Sequence, residues 1–295
     1  MRQARNGNRH RRRALLLPIM ATLLATLAAC ASLDSSKTSA NAPESEDSRY
    51  AASPANIASL TAVVRRNPND PQAYNMRGTV FGKGGRYKEA LADFNKAISI
   101  DPNYAQAYAN RGLVYRETGK LDLALSDYNR ALSIDPTYSN AYLGRGMVYR
   151  QEHKMLPALN DFNKTISIRP DSAQAYYNRG LLYQTQGQHG YAIDDFTTAI
   201  GLSTDQAAPF VARGLSYIAV KQYKDAASDL DQAVAIDPQN VQAWTSRGLA
   251  YERLGDKQRA AGSYARAMNI DKSYQPAIAG FDRVGGRYGE TYQTF

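Results

Sequence analysis

Ala141-Tyr142-Leu143-Gly144-Arg145-Gly146-Met147-Val148-Tyr149 decides the fold, because close copies stand 34 residues away on either side. They are Ala107-Tyr108-Ala109-Asn110-Arg111-Gly112-Leu113-Val114-Tyr115 and Ala175-Tyr176-Tyr177-Asn178-Arg179-Gly180-Leu181-Leu182-Tyr183. Working outward, the Arg-Gly pair recurs at the same interval as Arg77-Gly78, Arg111-Gly112, Arg145-Gly146, Arg179-Gly180, Arg213-Gly214 and Arg247-Gly248. Twelve residues after each glycine stands an alanine (Ala90, Ala124, Ala158, Ala192, Ala226, Ala260). Four residues later comes a large apolar residue (Phe94, Tyr128, Phe162, Phe196, Leu230, Tyr264). A spacing that never slips over six units is the mark of stacked supersecondary units, each too small to bury its apolar face alone.

With the count started at Pro71, the pattern resembles the tetratricopeptide repeat. Aromatics stand at position 4 (Tyr74, Tyr108, Tyr142, Tyr176, Phe210, Trp244) and position 11 (Phe81, Tyr115, Tyr149, Tyr183, Tyr217, Tyr251). Small residues at positions 8 and 20 allow two helices to approach closely, and Pro102, Pro136, Pro170 and Pro238 stop the second helix. The resemblance implies an all-α fold, a right-handed superhelical α-solenoid of antiparallel helix pairs. Its six repeats are 71–104, 105–138, 139–172, 173–206, 207–240 and 241–274. Residues 55–70, with Ile57, Leu60, Val63 and Val64 at helical spacing, are expected to form a capping helix in front of the array. Residues 275–295 are expected to supply a second capping helix and a tail, and the sequence leaves open whether that tail is disordered or lies back on the array. Eleven of the 21 tyrosines fall at positions 4, 11 or 24, which assigns them to packing rather than to a stacking surface.

Two positions depart from the repeat pattern. Position 7 is Arg throughout, and position 23 is Asp in five repeats. A charge on a packing face needs a partner, so structural ion pairs are expected for Arg77 with Asp93, Arg111 with Asp127, Arg145 with Asp161, Arg179 with Asp195, and Arg213 with Asp229. The competing use of these arginines is an anion-binding stripe. Ser263 replaces the aspartate in repeat 6, leaving Arg247 to find another acceptor or face solvent. Position 15, the turn between helices, is glycine in four repeats but His153 and Lys221 in the others, which makes His153 a turn residue rather than a ligand. Gly201, Thr204 and Pro209 make the junction of repeats 4 and 5 the least regular, a candidate hinge.

The resemblance places extended peptides on the inner surface lined by the first helix of each repeat. The expected groove is apolar at positions 5 and 9 (Leu143, Met147, Tyr177, Leu181, Val211, Leu215). Gln106, Asn140 and Gln174 form an amide margin, and Arg116 and Arg150 add cations. The chaperone-tail clamp of this family is not expected, because position 9 is Thr, Leu or Met. The residues offer no catalytic constellation, no metal ligands, no cofactor loop and no small-molecule site. The function read from these features is a protein-interaction scaffold, not an enzyme.

The start of the chain reads differently. Arg2, Arg5, Arg9, Arg11, Arg12 and Arg13 precede the uncharged stretch 14–29, which is interrupted by Pro18 and too short for a membrane span. Leu27-Ala28-Ala29-Cys30 resembles a lipobox, so residues 1–29 are expected to be a lipoprotein signal peptide and Cys30 the acylated residue. Cleavage at an Ala-x-Ala motif, leaving a soluble periplasmic protein, is the alternative. Loss of the six arginines takes the net charge from +9 to +3, removing the basicity that would suggest nucleic acid. Residues 30–54, rich in Ser, Ala and acids, read as a disordered linker. The expected place is the cell envelope, lipid-anchored and facing the periplasm, with the outer membrane favoured because no aspartate follows Cys30. By architecture alone this resembles NlpI-type envelope lipoproteins, whose partners would be peptidoglycan hydrolases or a periplasmic protease. The alternative is an assembly factor or pilotin for a pilus or secretin system. Replacement Cys30→Ser should abolish incorporation of a palmitate label and release the protein from membranes; unchanged labelling would refute the lipobox reading.

Overall fold

The computed structural model describes residues 52–292, and the expected signal peptide, Cys30 and most of the expected linker lie outside them. Among the described residues the chain is all-helical. The first helix is α1 (Pro54–Arg66), and six helix pairs follow: α2 (Pro71–Lys83) with α3 (Tyr87–Ile100), α4 (Ala105–Glu117) with α5 (Leu121–Ile134), α6 (Ser139–Gln151) with α7 (Met155–Ile168), α8 (Ala173–Thr185) with α9 (His189–Leu202), α10 (Ala207–Ala219) with α11 (Tyr223–Ile236), and α12 (Val241–Leu254) with α13 (Lys257–Ile270). The last helix is α14 (Gln275–Arg283). None of the helices is long and apolar enough to cross a membrane.

Sequence sets these boundaries through local hydrogen bonding. Ser53 and Asp70 cap α1 and α2 by accepting from the backbone N–H groups of Asn56 and Gln72, each with proline at the first helical position. In the loops between repeats, Asp101, Asp135, Asp237 and Asp271 accept from the N–H two residues on, at 2.8–3.1 Å. This turn is one that aspartate side chains favour over continued helix. Within each repeat the helices are separated by a residue in the left-handed region, filled by glycine four times and by His153 (φ 57°) and Lys221 (φ 64°) in repeats 3 and 5. A side chain there costs roughly 1–2 kcal/mol.

The helices form two layers. The even-numbered helices α2 to α12 meet one another from repeat to repeat, while each odd-numbered helix packs between the even-numbered helices on either side. The even helices are therefore the inner layer. The core runs along the seam between layers, where Phe94, Tyr128, Phe162, Phe196, Leu230 and Tyr264 are each at most 2% exposed. Each faces the position-8 glycine of its own repeat. A Cβ at Gly146 would come within 2.7 Å of Phe162, and one at Gly180 the same distance from Phe196. The glycine is required by that close approach.

Two rings need a second glycine. Tyr128 and Tyr264 carry a hydroxyl that Phe94 and Phe162 lack, and in both cases the next inner helix has glycine opposite the ring: Gly144 in α6 and Gly280 in α14. Opposite Phe94 and Phe162 the same position holds Asn110 and Asn178. Burial pushes the Tyr128 hydroxyl up to about 12, favouring its neutral form.

The junction of repeats 4 and 5, the candidate hinge, is the loop between α9 and α10. It is bridged by Gln184, whose amide donates to the Ala212 carbonyl at 2.8 Å and to Ser216 Oγ at 2.9 Å. Pro209 sits in the first turn of α10, where its missing N–H is not required. At the far end α14 covers repeat 6, with Arg283 pairing with Glu252. The tail lies back on it, Tyr288 and Tyr292 resting their rings 5.2 and 5.6 Å from that of Phe281.

The ring–glycine match predicts a compensating pair. Gly144→Asn should destabilise the chain by about 1–3 kcal/mol through overpacking against Tyr128. Adding Tyr128→Phe, which recreates the Phe94–Asn110 arrangement, should recover most of that loss in denaturant titrations. A double variant no more stable than Gly144→Asn alone would contradict the match.

Candidate functional site

The charged residues singled out by the repeat fall into two groups with different fates. Those at positions 7 and 23 are consumed within the seam. Arg77, Arg111, Arg145, Arg179 and Arg213 each donate from Nε and Nη2 to both carboxylate oxygens of Asp93, Asp127, Asp161, Asp195 and Asp229, at 2.7–2.8 Å. Those hydrogen bonds hold each guanidinium above its ordinary pKa, against the opposing effect of burial. The third nitrogen reaches back to the preceding repeat. Arg111, Arg145 and Arg179 donate to Asn95, Asn129 and Asn163 at 2.6–2.7 Å, and Arg213 donates to Thr197 at 2.9 Å. Near each guanidinium lie the aromatics three residues before and four after it, as with Tyr142 and Tyr149, whose ring centres are 5.5 and 5.9 Å from Arg145. The rings at positions 4 and 11 thus flank an ion pair as well as packing on the core, in which Phe81, Trp244 and Tyr251 are buried.

Arg247 shows the rule by exception. With Ser263 in place of the aspartate, its Nε pairs with Asp231 of the preceding repeat and its Nη1 donates to Ser263 Oγ at 2.7 Å. Tyr251 donates to the other oxygen of Asp231 at 2.8 Å. The acid has moved from the arginine's own repeat to the neighbour. A shallow depression lies beside Asp231, Tyr251, Asp256 and Arg259, and these four side chains hydrogen-bond to one another.

The inner layer carries the expected groove residues, but not all at its surface. Leu143 and Val211 are only 6% exposed. They were expected to line the groove; instead they are covered, because adjacent inner helices lean on one another at position 5. Tyr177 is half-buried, its ring 5.9 Å from that of Phe196. Position 9 is the more open: Leu113 is 43% exposed and Met147, Leu181 and Leu215 are half-buried. Gln106, Asn140 and Gln174 stand exposed on the margin, with Asn140 accepting from Arg169 at 3.1 Å. Arg116 donates to Glu117 and contacts Met147 Sδ. Among the described residues Arg150 makes no hydrogen bond or ion pair, and its Nε is buried without an acceptor.

Asn95, Asn129 and Asn163 as inter-repeat partners were missed by the sequence reading, although a polar residue at position 25 recurs in five repeats. Among the described residues no three His, Cys, Asp or Glu side chains converge as a metal site requires.

Family models agree with this architecture. Tetratricopeptide repeat models match residues 105–138, 173–206 and 211–275, and a TPR repeat model matches 78–119 and 157–187, together more than half of the chain. This chain belongs to the tetratricopeptide-repeat family. Among solved structures it is similar to the APC/C hetero-tetramer Cut9–Hcn1 (20% identity, TM-score 0.68, 77% of this chain and 45% of that one). It is also similar to PilW, a widely conserved type IV pilus biogenesis factor (18%, 0.64, 71% and 97%), and to YrrB, a TPR protein with an unusual peptide-binding site (22%, 0.55, 64% and 97%). The chain spans less than half the length of the Cut9–Hcn1 chain it matches. These likenesses establish the fold. No curated protein matches the chain.

The seam predicts a large penalty for breaking one pair. Asp161→Asn leaves Arg145, about one-fifth exposed, short of its countercharge and should cost about 3 kcal/mol. Thermal unfolding with a loss under about 1 kcal/mol would show that the pair is not structural.

Proposed function

We propose that this protein is a scaffold of the cell envelope, lipid-anchored through Cys30, that holds extended segments of partner proteins on the inner layer of its helices. The tetratricopeptide fold supports a role in binding proteins or peptides, and such proteins are generally non-enzymatic scaffolds. One observation carries the placement of the site. The outer seam spends its charges and rings on internal pairing, whereas Leu113, Met147, Leu181 and Leu215 form an apolar row along the inner helices that the fold leaves partly uncovered. Exposed amides beside such a row supply donors and acceptors for an extended backbone.

The membrane anchor rests on the arginine-rich start, the short apolar stretch and the Ala-Ala-Cys sequence, and the partners fitting that place are peptidoglycan hydrolases or a periplasmic protease. The similarity to a type IV pilus biogenesis factor supports a second reading, an assembly factor for a pilus or secretin. Cross-linked partners tell the two apart by being cell-wall enzymes or pilus components.

A photo-crosslinking amino acid at position 181, on the inner row, should capture partners in intact envelopes. The same group at position 156, 68% exposed on an odd-numbered helix, should capture few. Equal yields at both positions would contradict the inner-face reading, and loss of capture in Cys30→Ser would tie it to the anchor.

A further inference from the structure

Arg150 is a charge the fold has not used. Five seam arginines each satisfy three nitrogens, whereas Arg150, at position 12 of α6, is half-buried on the inner layer and bonds to nothing among the described residues. Its Nε is buried without an acceptor, an arrangement that an arriving counterion relieves. Its surroundings do not supply one: burial and the like charge of Arg116 lower its pKa, and only the Tyr177 hydroxyl acts the other way. Arg116 is itself turned to Glu117. Apolar residues continue on both sides, Leu113 and Met147 toward repeat 2 and Leu181 toward repeat 5.

We propose that Arg150, with Tyr177 beside it, receives the carboxylate of an internal Asp or Glu in an extended peptide lying along the inner layer. This rests on the inner-face reading above and names the chemistry its partner must carry. A planar guanidinium offers a two-pronged donor that matches a carboxylate. The row runs past Arg150 in both directions, so the segment passes through and its acid is internal rather than a chain end. Neighbouring helices stand roughly 8–10 Å apart, which an extended chain crosses in about three residues. The recognised pattern is therefore an acidic residue flanked, about three positions away on each side, by apolar residues.

Peptide display tests this with random dodecamers fused at both ends, so that no C-terminal carboxylate is present, selected on the full chain and on Arg150→Gln. Wild type should enrich acid-centred peptides with apolar flanks, and Arg150→Gln should keep the apolar preference and lose the acidic one. A synthetic amidated peptide from the selection should lose about tenfold in affinity when its Glu becomes Gln, on wild type only. Arg150→Leu should melt at or above wild type, since it removes an unpaired charge; a lower midpoint would mark Arg150 as structural and overturn the proposal. An acidic preference that survives Arg150→Gln overturns it, and so does full affinity regained when the synthetic peptide carries Gln in place of its Glu and a free C-terminal carboxylate instead of the amide. Enrichment of apolar peptides without any acid overturns it while leaving the inner face a peptide site. No enrichment on wild type removes both.

Discussion

A guanidinium clamped in the seam between two helices organises this protein. From position 7 of the inner helices of repeats 1 to 5 it reaches sixteen residues forward to an aspartate and, from repeat 2 onward, sixteen residues back to a polar side chain of the preceding repeat. One side chain therefore fixes the two helices of its own repeat and the stacking of that repeat on its neighbour. The aromatics on either side exclude water from the pair. In the drier surroundings the hydrogen bonds gain strength, and an unpaired partner becomes costly. Ring placement, glycine placement and inter-repeat spacing all have to be compatible with that clamp.

Close packing supplies the second constraint. A ring at position 24 leaves no room for a Cβ at position 8, and a tyrosine there leaves none at position 6 of the following helix either. The repeats are consequently not identical copies but matched neighbours, in which a hydroxyl on one side is answered by a missing side chain on the other. Interiors tolerate little change in volume, so such matches confine variation to joint changes at Tyr128 with Gly144 and Tyr264 with Gly280.

Much of this was legible in the sequence because a fixed interval compares like positions directly. The six helix pairs, the left-handed turns at His153 and Lys221, and the acid opposite each arginine all follow from reading down the columns. Contacts between columns of different repeats were not legible. Asn95, Asn129 and Asn163 meet the next arginine only because of how repeats stack, and the depth of Leu143 and Val211 depends on how inner helices lean together. The same limit applied to the C-terminal tail, whose two tyrosines find Phe281. Of the inner face, the exposure of Leu113 and the burial of Leu143 depend on how the inner helices stack, and the lack of a partner for Arg150 among the described residues is visible only once every neighbour is placed.

The displaced acid of repeat 6 bears on how such an array can be lengthened or shortened. Repeats 1 to 5 each contain both members of their ion pair, and any of the first four is a cassette that gene duplication or deletion can move without stranding a charge. Repeat 6 is not portable in that sense: its arginine draws its countercharge from Asp231, across the boundary. Repeats can be gained or lost upstream of Asp231, whereas the last two travel together, a fixed terminus on a chain otherwise free to change its length.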